Sequence, residues 1–280
     1  MSSKILTKSS RVRLRKSNLP EFKIAQEAAI AGGKEILKVY RKNFSSKVKK
    51  DNSPITEADI NSNKIIKKIL SKTGYSILSE EDKDSKKRLK QKRVWIVDPL
   101  DGTTDFVNRT GEFTVMIALV EDKKPILGVI YWPTENILFV AQKDYGAWRF
   151  SNHSWKRMRT SKVSDMKKCR AIGSRYHISD VEKVLLDKLY IKKFTSVGSS
   201  LKVAQISSGA ADVYLTTTNK MKEWDTCASY CLVSEAGGKM TDMLGNDVSY
   251  NNQNVIHQNG ILVTNGLVHD KIVKEFKKLD

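Results

Sequence analysis

The sequence predicts an α/β protein in which helices cover mixed sheets in layers. Long helical stretches bracket groups of short apolar strands. The 280 residues are 40% hydrophobic and 29% charged, the balance of a chain able to bury a sizeable core. The longest apolar runs, such as 115–120, fall far short of the ~20 residues a spanning helix needs.

The elements follow in order. Residues 20–43 read as a helix, with Phe22, Ala25, Ala28, Ala29, Ile36 and Leu37 near helical spacing, although Gly32 and Gly33 weaken its middle. A second helix is expected over 57–71, where Ile60, Ile65, Ile66, Ile69 and Leu70 mark one face. Thr56 with Asp59 three residues later resembles a capping box at its start. The pattern then turns to strands, at 75–78, 94–97, 113–120, 126–132 and 137–142. In the second half, helices are expected at 180–189, 200–208 and 226–236, and strands near 212–216 and 260–264. Charge rises and periodicity fades near 151–170. The expected organisation is therefore a basic tail over 1–20, an N-terminal half over 21–150 and a C-terminal half over 151–280.

A formal charge of +19 raises the question of nucleic acid. Three stretches, 1–20, 83–93 and 156–170, hold 18 of those 19 net charges, and the remainder of the chain is nearly neutral. No RNA- or DNA-binding motif or aromatic platform accompanies them, so solvated basic loops are the plainer reading and no specific nucleic-acid partner is expected. The acid-free, Ser-rich N-terminus has the composition of an organellar transit peptide, but a basic tail on a cytoplasmic protein fits equally and is preferred. Cys169, Cys227 and Cys231 form no even framework and no CxxC pair, which fits reducing conditions and buried small hydrophobes. The oligomeric state stays open.

The informative segment is WIVDPLDGTTDF, residues 95–106. An apolar strand ends, and Asp98 and Asp101 follow three residues apart with Pro99 and Gly102 to shape a tight turn. Such a turn aims both carboxylates at one point, where they repel unless a cation lies between them. Hard oxygen ligands without His or Cys favour Mg²⁺ or Mn²⁺ over zinc. Gly102 and Thr103 are expected to open a short helix, whose free N–H groups suit phosphate. A capping turn that merely stops a strand is the bland alternative for the string alone. Further acids weaken it: Glu80 in Ser79-Glu80-Glu81, Asp59 at a helix start, and Asp225 after Glu223-Trp224. Asp59 is also explicable as an acid satisfied by a helix dipole.

WIVDPLDGTTDF together with EWDTCASYCLVSEAGG resembles the paired signatures of the inositol monophosphatase superfamily, with DNSPITEAD and LSEED in the expected places before them. The similarity runs from about residue 22 to residue 266. It implies an α-β-α-β-α sugar-phosphatase-like sandwich and a Mg²⁺-dependent phosphomonoesterase with two or three ions per site. By position, Glu80, Asp98 and the Leu100 carbonyl would hold one ion, and Asp98, Asp101 and Asp225 a second. Asp59 and Thr103 would orient and deprotonate the attacking water, and the Gly102 and Thr103 amides would grip the phosphate. Glu80, Leu100, Asp101 and Asp225 thereby also face the substrate. The run Phe106-Val107-Asn108-Arg109-Thr110-Gly111-Glu112-Phe113-Thr114-Val115 is similar to the F-x-x-R-x-G-E-F-T-V of the 3'(2'),5'-bisphosphate nucleotidase branch, also called the CysQ type. Ser174-Arg175-Tyr176-His177 and Gly198-Ser199-Ser200-Leu201-Lys202 resemble that branch's S-R-x-H and G-S-S-x-K segments. The branch implies removal of the 3'-phosphate of 3'-phosphoadenosine 5'-phosphate. Ser174, Arg175, His177, Ser199 and Lys202 become candidates for the second phosphate, with Arg109 bracing the active-site loop. Thr104-Asp105, where bacterial nucleotidases often carry Lys-Glu, departs from the pattern. An inositol or sugar phosphatase of the same superfamily, and more remotely a basic nucleic-acid-binding protein, are the alternatives.

Overall fold

In a computed structural model the described residues are 15–49, 54–176 and 178–279. The basic tail before residue 15 and His177 lie outside them. The first half contains α1 (Pro20–Tyr40), β1 (Ser46–Val48), β2 (Pro54–Thr56), α2 (Glu57–Leu70), β3 (Ser76–Ser79), β4 (Arg93–Asp101), α3 (Thr103–Val107), β5 (Thr114–Glu121), β6 (Lys124–Trp132) and β7 (Ile137–Gln142). There follow β8 (Gly146–Ser151), β9 (Ser154–Arg157), β10 (Arg170–Gly173), α4 (Asp180–Lys188), β11 (Lys193–Ser196), α5 (Leu201–Ser207), β12 (Val213–Thr216), α6 (Glu223–Glu235), β13 (Lys239–Thr241), β14 (Ile261–Thr264) and α7 (His269–Phe276).

Strands β3 to β9 form one seven-stranded sheet in sequence order, antiparallel apart from the β3–β4 pair. A second sheet has the order β11-β10-β12-β14-β13. Strand alternation sends successive residues of β4 to opposite faces. Trp95 and Val97 pack with Phe22, Ala29 and Ile66 of α1 and α2. Val94 and Ile96 pack in the cluster that holds Leu201 and Ile206 of α5, Cys227 and Leu232 of α6, and Tyr214 and Val263 of the second sheet. The far face of that sheet, with Val213 and Leu262, buries Leu185 of α4 and Ile272 of α7. The layering is thus α-β-α-β-α, and the fold is the mixed α/β class that the sequence predicts.

Gly32 and Gly33 do not weaken α1. A Cβ at Gly32 would stand 2.7 Å from the Ile66 side chain, and one at Gly33 would stand 2.5 Å from the Tyr131 ring. They are the points where α1 closes on α2 and on the sheet. The basic loops are not all solvated either. Arg88 is 1% exposed, with its guanidinium on Asp84, Asn251 and the Asn252 carbonyl, and Arg170 is paired with buried Asp212. The seven-stranded sheet runs on to Arg157, past the division placed at 150/151. No helix among the described residues is long and apolar enough to cross a membrane.

Candidate active site

The site forms where β3 and β4, running parallel, end together. The β4–β5 register shifts between Asp98 and Asp101: Asp98 lies opposite Met116 and Asp101 opposite Thr114. One extra residue in β4 makes a bulge containing Pro99, which has no N–H to give the ladder. The Asp98 carboxylate caps the turn by accepting the Leu100 N–H at 3.0 Å. Gly102 then takes φ +88°, and a Cβ there would meet Ser199 at 3.0 Å and the Glu112 carbonyl at 3.1 Å. Only glycine serves at this position. The short helix α3 follows as expected.

Glu80, from the end of β3, Asp98 and Asp225, from the first turn of α6, converge, with one carboxylate oxygen of each within 4.8 Å of the others. Helix α6 begins at Glu223, three residues earlier than expected, so Asp225 lies inside it and accepts the Lys222 N–H at 2.7 Å. Asp98 is held far above the ordinary carboxylate range by burial and then by the charges of Glu80, Asp101 and Asp225. Burial and Glu80 push Asp225 up to about 8. Asp98 and Asp225, raised with Glu80 beside them, make a donor set short of a cation, and the hard oxygens of the three acids fit Mg²⁺ or Mn²⁺. Lys49 supplies part of the missing charge, its Nζ 2.8 Å from Glu80 and 2.5 Å from Glu81. Burial alone would lower that amine, but the two carboxylates outweigh it and hold it above the usual lysine range.

Asp101 stands beside this trio without joining it. Its Oδ2 accepts the Ser200 N–H at 2.5 Å and the Thr114 hydroxyl at 3.3 Å. Asp59 and Thr103 do meet: the Thr103 hydroxyl lies 3.2 Å from Asp59 Oδ1 and 3.1 Å from the Leu100 carbonyl. The capping box at α2 is present, with Asp59 Oδ2 accepting the Thr56 N–H at 2.8 Å and the Ala58 N–H donating to the Thr56 hydroxyl at 3.1 Å. Burial raises Asp59, with the Thr56 hydrogen bonds pulling against it.

Of the candidates for a second phosphate, Lys202 has its amine buried and acted on by several of the acids. Burial lowers its amine, while Asp101, Asp105, Glu112 and Asp225 pull it up. Its Nζ donates to the Ser199 carbonyl at 2.7 Å. Arg175 is already engaged, donating to Glu112 Oε2 at 2.7 Å. Ser174 accepts the Tyr176 N–H, and Ser199 has φ +50° at the bend before α5. Arg109 braces a different place from the one expected: its guanidinium donates at 2.7 Å to the Tyr40 and Lys42 carbonyls, at the end of α1. Sequence reasoning missed Lys49, since nothing in the run Lys47-Val48-Lys49-Lys50 sets it apart. It also gave no role to Glu112, although the G-E-F-T-V string contains it. Glu112 Oε2 accepts the Gly198 N–H at 2.7 Å as well as Arg175.

Comparison with known proteins defines the class. The model of the inositol monophosphatase family matches residues 18–280, and the chain belongs to that family, whose superfamily is one of phosphatases. Relatives carrying the name 3'(2'),5'-bisphosphate nucleotidase CysQ include that of Buchnera aphidicola, 37% identical over 81% of this chain and 86% of the relative. That of Escherichia coli K12 is 36% identical over 78% and 89%. Among solved structures, CysQ from Bacteroides thetaiotaomicron is similar with a TM-score of 0.75 at 32% identity, covering 86% of this chain and 95% of that one. An inositol monophosphatase from Anabaena has a TM-score of 0.75 at 27% identity, covering 94% and 97%.

Proposed function

We propose that the chain is a Mg²⁺-dependent 3'(2'),5'-bisphosphate nucleotidase that releases the 3'-phosphate of 3'-phosphoadenosine 5'-phosphate to water. The observation that carries the chemistry is the convergence of Glu80, Asp98 and Asp225 within 4.8 Å, a cluster of hard donors beside a hydroxyl–carboxylate pair. Glu80, Asp98 and the Leu100 carbonyl would hold one ion, and Asp98, Asp101 and Asp225 another. Bound Mg²⁺ supplies the positive charge that makes water nucleophilic and steadies the leaving oxygen.

The protein's own part is orientation and proton handling. The Thr103 hydroxyl turns its proton toward Asp59 Oδ1, which leaves its oxygen lone pairs to accept from a water. As that water attacks phosphorus, the bond to the 3'-oxygen breaks; the water's proton passes to the Thr103 oxygen, the hydroxyl proton passes to Asp59, and the departing 3'-oxygen takes a proton from solvent. Desolvated Asp59, raised by burial, is suited to receive it. The Gly102 and Thr103 amides hold the phosphate, and Lys202 takes the second phosphate. The names of the relatives support the nucleotide over an inositol or sugar phosphate. Cytoplasmic placement follows from the same reading.

The test is phosphate release with Mg²⁺ from 3'-phosphoadenosine 5'-phosphate, inositol 1-phosphate and fructose 1,6-bisphosphate. Preference for the first supports the proposal. Preference for either of the others replaces it with a different substrate in the same family, and release undiminished by chelation removes the metal assignment.

A further inference from the structure

The string Gly111-Glu112-Phe113-Thr114-Val115 contains an acid that the metal-centred chemistry does not use. Glu112 stands between α3 and β5, and one of its oxygens, Oε2, accepts two hydrogen bonds, each at 2.7 Å. One comes from the Gly198 N–H, 86 residues away, and the other from the Arg175 guanidinium, 63 residues away. The acid thus ties the segment after β10 and the segment before α5 to one point.

Gly198 is fitted to that point. A Cβ there would stand 2.4 Å from the Asp105 carboxylate and 2.8 Å from the Glu112 carbonyl oxygen, so only bare backbone enters the slot. Two residues on, the Ser200 N–H is taken by Asp101. Lys202 follows in the first turn of α5. Its amine rests on the Ser199 carbonyl at 2.7 Å, a bond internal to the same segment, so the amine goes where the segment goes.

Two roles for Glu112 predict opposite signs. As a charge it opposes an anionic substrate, and its removal would tighten binding. As an anchor it holds the segment that carries Lys202, and its removal would loosen binding. Arg175 already offsets the charge, and the glycine slot is built to receive the segment, so the geometry favours the anchor. We propose that Glu112 is a positioning residue for the second phosphate: it fixes segment 198–200 so that Lys202 reaches the 5'-phosphate, and it keeps Arg175 on this structural task. The proposal rests on the bisphosphate-nucleotide reading.

The test is a double-mutant cycle of Glu112→Ala and Lys202→Ala, with Glu112→Gln as the conservative variant. KM and kcat are measured in Mg²⁺ with 3'-phosphoadenosine 5'-phosphate and with adenosine 3'-monophosphate, which lacks the 5'-phosphate. Glu112→Ala should raise KM for the bisphosphate roughly tenfold, the worth of the two hydrogen bonds removed, and for the monophosphate by at most about twofold. In the Lys202→Ala background the same change should add less than about twofold, because the contact it positions is gone. Glu112→Gln still offers an oxygen to both donors, and its KM should lie nearer wild type than that of Glu112→Ala. A bisphosphate KM that is unchanged or lowered by Glu112→Ala, a KM raised alike for both substrates, penalties that add in the cycle, or a Gln variant no better than Ala each overturns the positioning role. If melting curves show that Glu112→Ala does not fold, Glu112→Asp, whose carboxylate stops one methylene short of both donors, takes its place under the same criteria. Wild type that releases no phosphate from 3'-phosphoadenosine 5'-phosphate overturns the functional reading, and the positioning role with it.

Discussion

Removing one charge from the carboxylate cluster should stabilise the metal-free protein and abolish its response to magnesium. Asp98 is 1% exposed and contributes an oxygen within 4.8 Å of those of Glu80 and Asp225. In the limit where both are ionised, above the Asp225 value of about 8, two unit charges at that distance repel by about 332/(20 × 4.8), or ~3.5 kcal/mol, at an effective dielectric constant of ~20, so the melts are run at alkaline pH. Among the charges acting on Asp98, Glu80 leads, ahead of Asp101 and Asp225, and Lys49 offsets part of the Glu80 charge. In Asp98→Asn the amide keeps the side-chain shape and still accepts the Leu100 N–H, at a loss of about 1 kcal/mol for a neutral acceptor. The net gain is about 2–3 kcal/mol. At roughly 2–4 °C per kcal/mol for a chain of this size, the chelated variant should melt about 4–12 °C above chelated wild type. Wild type at a hundredfold excess of Mg²⁺ over Kd should gain about 2.7 kcal/mol from binding, and the variant very little. Phosphate release should fall by several orders of magnitude. Calorimetric melts of both proteins, with chelator and with Mg²⁺, read all of this. A variant that melts below wild type in chelator, or that keeps the full Mg²⁺ shift, would refute the charge-cluster reasoning.

Other predictions concern the substrate, the ion and pH. Lys202→Ala should raise KM for the bisphosphate roughly ten- to a hundredfold, from a contact worth ~1.5–3 kcal/mol, and much less for a monophosphate lacking that group; an equal penalty on both substrates would remove Lys202 from recognition. kcat should change little if the contact is the same in ground and transition states. The family resemblance implies inhibition by Li⁺, an ion with half the charge of Mg²⁺, and inhibition no stronger than by equal K⁺ would count against it. Burial lowers buried His269 from 6.5 to about 4. Its neutral form is favoured by folding, so it contributes stability at neutral pH that is lost as pH falls from about 6.5 to about 4. The loss is about 3 kcal/mol at most. Melting midpoints in Mg²⁺ should drop over that interval by less in His269→Gln than in wild type, and identical profiles would show that another group is responsible.

What the sequence made legible was local or periodic. The D-P-L-D-G-T string announces a strand end, a bulge and a helix start within a few residues, and Thr56 with Asp59 announces a cap. Both are short-range physics. Of the strands missed, β9 and β11 lacked a pattern to read, whereas β8 and β10 are mostly buried and were missed all the same. All four residues of β11 are exposed, and β9 shows only one partly buried position. Helix α7 was missed because its apolar anchors, Ile272, Val273 and Phe276, are too few for a periodicity. The glycines of α1 were misread because their use depends on Ile66 and Tyr131, which are distant in sequence. Arg175 matched a motif by position, yet its partner Glu112 lies 63 residues away, and no local rule pairs them.

That pairing bears on how substrate recognition is tied to the metal cluster. The segment 198–200 is held at one end by Glu112, through the Gly198 N–H, and at the other by Asp101, through the Ser200 N–H. Lys202 follows within α5 and donates back to the Ser199 carbonyl. The Ser200 N–H and the Thr114 hydroxyl both donate to Asp101 Oδ2. One carboxylate therefore serves two tasks, fixing the loop that carries the candidate phosphate contacts and adding charge to the cluster of Glu80, Asp98 and Asp225. A shift of the loop moves Asp101, and a change of charge at Asp101 changes the grip on the loop. Lys202 feels Asp101 and Asp225 as well, together with Asp105 and Glu112. The candidate phosphate contact Lys202 and the acid cluster thus share Asp101 and Asp225, which is why motifs nearly a hundred residues apart in the chain have to be read together.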